Sequence, residues 1–518
     1  MGEQGFGGQN PAVTGVKIFM KNNIYTCIEI GSYEIKMLVC NLREERLFVL
    51  TRKSVPSAGV ERGQIMNFDK LVSQIKKLKE VAEADLKQVL RNVVLTIPPV
   101  GVAIEPVMGK INLDVNQPIR AEDVRKLFHQ VMKIPHNEQY IPVGIIPRVF
   151  RIDENHLVQN PRDLAGMSLG IEAQRISIPS SSISNLVHAV ETAGFKVDDM
   201  ILGSTSETML AISTPEMHAR TCHINVGHGV TTLTFVNDGK VLHTQSLPIG
   251  GQDLNRELAE KFNITDAIAD ELKVKYGQYN PHGKALTEKQ IIHVEDRTED
   301  LRFITRGDFN DVITDWCDQL FKIIRVHLID ELKIDEREYN YSLAGGTAQL
   351  PNIIHALQEQ LSMNAIQCVP PMLGVRDAKY ASLVGVTIFA HELALLLGSN
   401  ANKRDLSFET DTESASLFKI DMDGEPDLIT AVPKKASTET FNRMENTQSL
   451  RNAIAQMSKG DSYADVNMQP TKVFGSFDDV TLADADKTTP ATSYMERKLE
   501  NSGMLGRFFE KIFNDDEA

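Results

Sequence analysis

Two strand-like segments, each closed by a glycine turn, carry the residue types in this chain best suited to chemistry. The first is Ile24-Tyr25-Thr26-Cys27-Ile28-Glu29-Ile30-Gly31-Ser32, and the second is Thr221-Cys222-His223-Ile224-Asn225-Val226-Gly227-His228-Gly229-Val230-Thr231-Thr232. In each, a polar side chain (Glu29 or Asn225) lies near the end of an apolar run and glycine follows. Glycine tolerates positive φ and lets backbone N–H groups converge on an anion. Two such turns facing each other would clamp a chain of phosphates. A third turn, Ser342-Leu343-Ala344-Gly345-Gly346-Thr347, ends another apolar run before a helix-like segment, so its glycines would let a flat base and a ribose lie against the backbone. Any one of these turns is an ordinary hairpin feature. Their order and spacing together imply a nucleotide cleft between two similar halves.

Placing three such turns around one cleft requires two α/β halves, and the hydrophobic patterning supplies them. From Ile24 to Leu95 the pattern reads strand, strand, strand, helix, strand, with an amphipathic helix over Leu71 to Leu90 before the strand Val93-Val94-Leu95-Thr96-Ile97. Residues 101–179 read as an inserted subdomain: a short strand pair, a helix over Ala121 to Val131, and extended structure over Val143 to Ile152. A helix from Ser182 to Gly194 leads into the second half, with strands at Cys222 to Val226, Leu233 to Val236 and Val241 to Leu247. A helical stretch follows from Gly251 to Tyr276, then a long helix over Phe309 to Leu332 and a closing helix over Tyr380 to Leu397. The expected organisation is a flexible tail over 1–23 and a first lobe over 24–100 that resumes at 180–214 and 370–398. The second lobe spans 215–369, with a helical insertion at 252–308.

Composition sets the outer bounds. A chain of 518 residues exceeds a single core. The net charge of −15, with no face-sized Lys/Arg cluster, argues against nucleic acid as a partner. Five scattered cysteines (Cys27, Cys40, Cys222, Cys317, Cys368) include no Cys-x-x-Cys pair and no zinc-type spacing, and read as buried free thiols in a reducing compartment. No stretch reads as a membrane span and the N-terminus lacks a signal-peptide layout, so a cytoplasmic chain is expected.

The end of the sequence changes character. Residues 399–498 are rich in Ser, Thr, Asp, Glu, Lys and Asn and read as a disordered linker, because they cannot bury enough surface to offset chain entropy. Residues 499–518 then read as an amphipathic helix. Met504, Leu505, Phe508, Phe509, Ile512 and Phe513 share one face, opposite Arg507, Glu510 and Lys511. At the end of a tether such a face suits a membrane surface; a partner groove or docking on its own domain are the alternatives. A helix this short binds modestly, so firm attachment needs several linked copies and points to self-assembly.

Three further segments carry a resemblance: Ser57-Ala58-Gly59-Val60-Glu61-Arg62-Gly63-Gln64-Ile65, Asn160-Pro161-Arg162-Asp163-Leu164-Ala165-Gly166-Met167 and Leu343-Ala344-Gly345-Gly346-Thr347-Ala348-Gln349-Leu350-Pro351. With the glycine turns, they make the chain similar to the actin-like ATPases and, within them, to the bacterial cell-division FtsA family. The resemblance implies an actin-like two-lobed α/β fold of duplicated ribonuclease H-like domains, with an inserted small subdomain that contributes to filament contacts and recruitment. It implies ATP as ligand, with Gly31 and Ser32 as the first phosphate loop and Asn225, Gly227, Gly229 and Thr231 in the second. Gly345, Gly346 and Thr347 would lie at the adenosine, and Asp270 and Lys273 would touch ribose and adenine. It further implies a peripheral location on the cytoplasmic side of the cell membrane at the division site. The implied partners are FtsZ, further copies of the chain, later division proteins and membrane lipids.

The sequence also departs from the family pattern. The first loop usually has Asp where this chain has Glu29; the second usually has Asp at the positions of Asn225 and Thr232, and Gly at that of His228. In related ATPases those carboxylates hold water-coordinated Mg²⁺ and position the attacking water. Glu29 and Glu207 are the catalytic candidates, no direct metal ligand is expected, and hydrolysis should be weak or absent. On charge alone, Asp at positions 225 and 232 should raise it. His228 reads as a solvated turn residue. The competing readings are a pilus-assembly scaffold like PilM, and a chaperone or phosphotransferase ATPase of the same fold.

Overall fold

The computed structural model describes residues 23–398, apart from 44–45, 114–116, 138, 154, 213–216, 218–219, 281–290, 295–301, 333–334 and 362–363. The expected N-terminal tail up to residue 22, the linker and the terminal helix lie outside the described residues. The first half begins with β1 (Asn23–Ile30), β2 (Glu34–Arg43) and β3 (Arg46–Pro56), an antiparallel meander. A small hairpin of β4 (Val60–Glu61) and β5 (Gln64–Ile65) follows, then α1 (Phe68–Leu86) and β6 (Asn92–Ile97), which runs parallel to β1. The helix is shifted toward its N-terminus relative to the apolar periodicity because its caps decide its ends. Asn67 accepts the Lys70 N–H at the start, and Lys87 turns left-handed (φ 54°) at the finish.

The next elements leave this sheet. β7 (Ala103–Asn112), α2 (Ala121–Met132), β8 (Tyr140–Ile152), β9 (His156–Val158) and β10 (Ser168–Pro179) form a separate sheet of order β7-β10-β8-β9. In place of the short strand pair expected before α2, there is one ten-residue strand among the described residues, paired along its length with β10. α3 (Ser180–Thr192) returns the chain to β11 (Lys196–Leu202), parallel to β6, and α4 (Gly203–Ala211) crosses to the second half.

There the pattern repeats. β12 (Arg220–Val226), β13 (Thr231–Asn237) and β14 (Lys240–Leu247) form an antiparallel meander. The stretch expected as one helical run divides into α5 (Gly251–Phe262) and α6 (Asp266–Tyr276), since Asn263 is left-handed and Thr265 caps the second helix. β15 (Ile291–Val294) pairs with β16 (Arg302–Thr305), and α7 (Arg306–Val326) leads to β17 (Asn340–Ala344), parallel to β12. α8 (Ile353–Gln360), β18 (Ala365–Gln367) and α9 (Ala381–Leu397) complete the described chain. The two large sheets, β11-β6-β1-β2-β3 and β14-β13-β12-β17-β18, therefore share one topology: a meander whose first strand is flanked by two parallel strands. This is the duplicated, actin-like two-lobed arrangement, and each lobe and the insertion has its own hydrophobic core.

α4 and α9 join the parts. α4 reads Gly-Ser-Thr-Ser-Glu-Thr-Met-Leu-Ala, yet all its residues are buried. Its hydroxyls can be buried because they bond locally: Thr205 and Ser206 donate to the Leu202 carbonyl, and Thr208 to that of Thr205. α9 packs against it through Gly385, where a Cβ would come within 2.3 Å of the Ser206 carbonyl oxygen. Contrary to the expectation of no span-like stretch, Ala378–Leu397 is long and apolar enough to cross a membrane, but 83% of it is buried inside the fold. A helix apolar all round is what a two-sided core position demands. All five cysteines are buried free thiols.

Candidate cleft between the two lobes

The β1–β2 and β12–β13 turns hold the same position in their respective sheets, so duplication of the fold brings them face to face. In the first, Gly31 N–H donates to the Glu34 carbonyl (3.2 Å); in the second, Gly227 N–H donates to that of Val230 (2.9 Å). The third turn follows β17, the parallel neighbour of β12. Gly345 there has φ 98°, and a Cβ would lie 2.4 Å from the Val226 carbonyl oxygen and 2.5 Å from Asn225 Oδ1, so only glycine fits. Gly346 has no heavy atom within 4 Å of its would-be Cβ, leaving open space against the backbone. Thr347 donates to the Gly227 carbonyl (3.0 Å) and ties the third turn to the second.

These turns enclose a cleft of about 410 Å³. It is lined by Glu29, Gly31, Ser32, Glu207, Asn225, Gly227, Gly229, Asp270, Lys273, Gly345, Gly346 and Thr347, so residues from five separate stretches of sequence converge. Thr231 does not line it. As the first residue of β13 it points to the opposite face from Thr232, is fully buried and donates its hydroxyl to the Ile249 carbonyl (2.8 Å), whereas Thr232 is on the wall. His228 is not a solvated turn residue: it is half-buried, its ring 5.0 Å from that of Tyr33, and burial followed by Lys273 holds its pKa below the ordinary value. Met504, Leu505, Phe508, Phe509, Ile512 and Phe513 lie outside the described residues.

Charge is distributed unevenly along the cleft. At one end, Glu29 Oε1 pairs with Lys36 Nζ (3.1 Å), and Lys36 also donates to the Lys379 carbonyl (2.6 Å). Burial raises the Glu29 carboxyl above its usual range although Lys36 opposes the shift. Glu207, on α4, is 1% exposed and accepts the side-chain amide of Asn225 (2.7 Å). At the other end, Lys273 Nζ donates to Asn255 Oδ1 (2.5 Å) and Asp270 Oδ1 (2.8 Å). Burial would raise the Asp270 carboxyl, but Lys273 and the bonds from Asn255 and Tyr33 hold it below the usual range. A buried lysine that donates three hydrogen bonds, the third to the Gly251 carbonyl (3.4 Å), is no solvated surface charge.

Sequence reasoning passed over the residues that stitch the lobes together. Arg62, at the tip of the β4–β5 hairpin, donates to the Gly229 carbonyl (3.1 Å) and pairs with Asp253 (2.7 Å), both in the second lobe. Tyr33 donates its phenol to Asp270 Oδ2 (2.8 Å) across the mouth. Lys36 alone left a usable trace, a lysine inside the apolar strand β2.

The family model described as cell division protein FtsA matches residues 222–385, and that of the SHS2 domain inserted in FTSA matches residues 100–177, the segment that forms the separate sheet. The chain belongs to the FtsA family. Among the family's members it is 26% identical over 381 residues to the cell division protein FtsA of Bacillus subtilis (73% of this chain, 86% of that protein). It is 24% identical over 377 residues to that of Enterococcus hirae (72% and 84%). Among solved structures it is similar to the PilM-PilN type IV pilus biogenesis complex (TM-score 0.46, 14% identity, 70% of this chain and 98% of that one). It is also similar to MreB5 of Spiroplasma citri bound to AMPPNP (0.44, 11%, 73% and 98%).

Proposed function

We propose that this actin-like member of the FtsA family binds ATP between its lobes, self-assembles on the cytoplasmic face of the cell membrane, anchors the FtsZ ring there and recruits later division proteins. The observation that carries the nucleotide reading is the convergence of three glycine turns and the Asp270–Lys273 pair on one cleft. Backbone N–H groups of the Gly31–Ser32 and Gly227–Gly229 turns take the phosphates, the open face at Gly346 takes the adenosine, and Asp270 and Lys273 bond its polar edge. The same partition makes 101–179 the filament and recruitment module, 399–498 a tether and 499–518 the membrane helix.

The phosphate end also fits a hydrated Mg²⁺. Glu29 Oε2, Glu207 Oε1 and Thr96 Oγ1 are buried without a protein hydrogen-bond partner, and all three residues line the cleft. Waters on the ion would satisfy them, and the ion would neutralise phosphate charge. Hydrolysis is weak because Asn225 is committed to Glu207 and Thr232 is a hydroxyl, so the second turn's strands β12 and β13 supply no carboxylate to orient a water. In this reading nucleotide joins the lobes rather than driving chemistry. The test is ATP titration by calorimetry with phosphate release followed in parallel, and electron microscopy on liposomes with and without ATP, repeated after removal of residues from Glu500 onward. Absence of ATP binding would end the nucleotide reading, and unchanged liposome binding by the truncated chain would end the tether reading.

A further inference from the structure

Asp270 accepts three side-chain hydrogen bonds that divide between its two oxygens by origin. Oδ1 accepts from Asn255 (2.9 Å) and Lys273 (2.8 Å), both in the second lobe. Oδ2 accepts the Tyr33 phenol, which belongs to the β1–β2 turn of the first lobe (2.8 Å). The oxygen that faces the cleft mouth is thus held by a side chain from the opposite wall. Tyr33 is 48% exposed, and its one ring–ring contact among the described residues is with the tilted imidazole of His228.

From this arrangement we infer that Tyr33 is an internal competitor for the sugar subsite, a hydroxyl of the protein that occupies Asp270 until a ribose hydroxyl replaces it. The inference rests on the nucleotide reading above and adds the identity of the group the ligand must displace. A phenol and a sugar hydroxyl are the same kind of partner to a carboxylate, each donating one O–H. The exchange is therefore one bond for one bond, and a ligand gains little at this point that the empty protein did not already have. A ligand without a hydroxyl there gains nothing in return for breaking the latch. The bond also crosses between lobes, so displacing it frees the mouth while Arg62 still holds the phosphate end. Ribonucleoside triphosphates are the class of ligand that can make both substitutions, at the sugar and at the phosphate turns.

The test is a cycle of Tyr33→Phe, Asp270→Asn and the double variant, with ATP affinity measured by calorimetry and association by rapid filtration of radiolabelled ATP. Removing only the phenol oxygen should tighten ATP about tenfold and speed its association, the change expected when a charge-assisted bond no longer competes. In the Asp270→Asn background the same change should have little effect, because the bond it removes is already weakened. If Tyr33→Phe leaves affinity and association unchanged or weakens binding, Tyr33 is no competitor and the inference is wrong. If wild type binds no ATP, the nucleotide reading itself has failed. Thermal melts of each variant separate loss of fold from loss of binding.

Discussion

Asn225 donates its side-chain amide to Glu207 at 2.7 Å, and this bond decides where the negative charge of the phosphate end sits. A carboxylate only accepts, so the amide nitrogen must face Glu207, and Asn225 Oδ1 lies against the Gly345 backbone. Considered as charge alone, Asn225→Asp should revive hydrolysis. Considered as geometry, it sets two carboxylates against each other beside an α4 that is wholly buried. Asn225→Asp should therefore destabilise the fold by about 2–4 kcal/mol, the scale of an unpaired buried charge. The reciprocal pair Asn225→Asp with Glu207→Gln restores one donor and one acceptor and should recover most of that loss. Thermal and urea melts check this; equal stability of single and double variants would show that the two side chains are not coupled.

The glycines of the cleft should respond in two distinct ways. Gly345 combines φ 98° with a Cβ position 2.4 Å from a backbone oxygen, so Gly345→Ala should cost about 2–3 kcal/mol or more of stability. Gly229 has a would-be Cβ 3.0 Å from Arg62 Cα and 3.2 Å from Ser32 Oγ, atoms that belong to the other lobe. Gly229→Ala should therefore spare each lobe, shift the melting temperature little, and weaken ATP by prising the phosphate turns apart. Calorimetry beside melting curves distinguishes the two, and an equal loss of stability at both positions would contradict the assignment.

The parts legible in the sequence are those that local pattern determines. Apolar runs located β1, β12 and β17, the 3.6-residue period located α1, and the glycine turns located three walls of the cleft. Helix ends were less legible, since Asn67 and Lys87 set the limits of α1 by capping and left-handed geometry rather than by periodicity. The polar helix α4 concealed its burial because its hydroxyls are satisfied within the helix. Tyr33 and Arg62 were invisible for another reason. Each acts on a residue far along the chain (Asp270 and Asp253), and nothing in the neighbouring sequence signals a contact that only lobe closure creates.

His228 supplies a pH-dependent readout of the same closure. Burial depresses its pKa, Lys273 and Arg62 act the same way, and Asp270 and Asp253 oppose them. Its contribution to stability is accordingly present above the ordinary histidine value of about 6.5 and is lost as pH falls through the lower folded value. Wild type should lose more stability than His228→Gln between pH 7.5 and 5.5, by roughly the scale of one shifted group. A triphosphate beside the second turn would favour the protonated ring, so ATP should protect wild type more at pH 6 than at pH 8, roughly as one linked proton allows. Parallel melting-temperature curves for wild type and His228→Gln would remove His228 from this account.

In the proposed function, membrane attachment would rest on Met504, Leu505, Phe508, Phe509, Ile512 and Phe513, whose spacing in the sequence would put them on one helix face. Replacing Phe509 and Phe513 together by Glu removes two large apolar side chains from that face and adds two charges that anionic lipid repels. Each buried Phe contributes about 1.5–3 kcal/mol, so the double change should lower vesicle partitioning by more than about a hundredfold while leaving the melting curve unaltered. Because one short helix binds modestly, attachment of wild type should rise more steeply than linearly with protein concentration if copies assemble on the surface. Co-sedimentation with liposomes across a concentration series measures both quantities. Strong binding by the double variant would place the membrane contact elsewhere on the chain, and a strictly linear isotherm for wild type would mean that single copies attach without assembling.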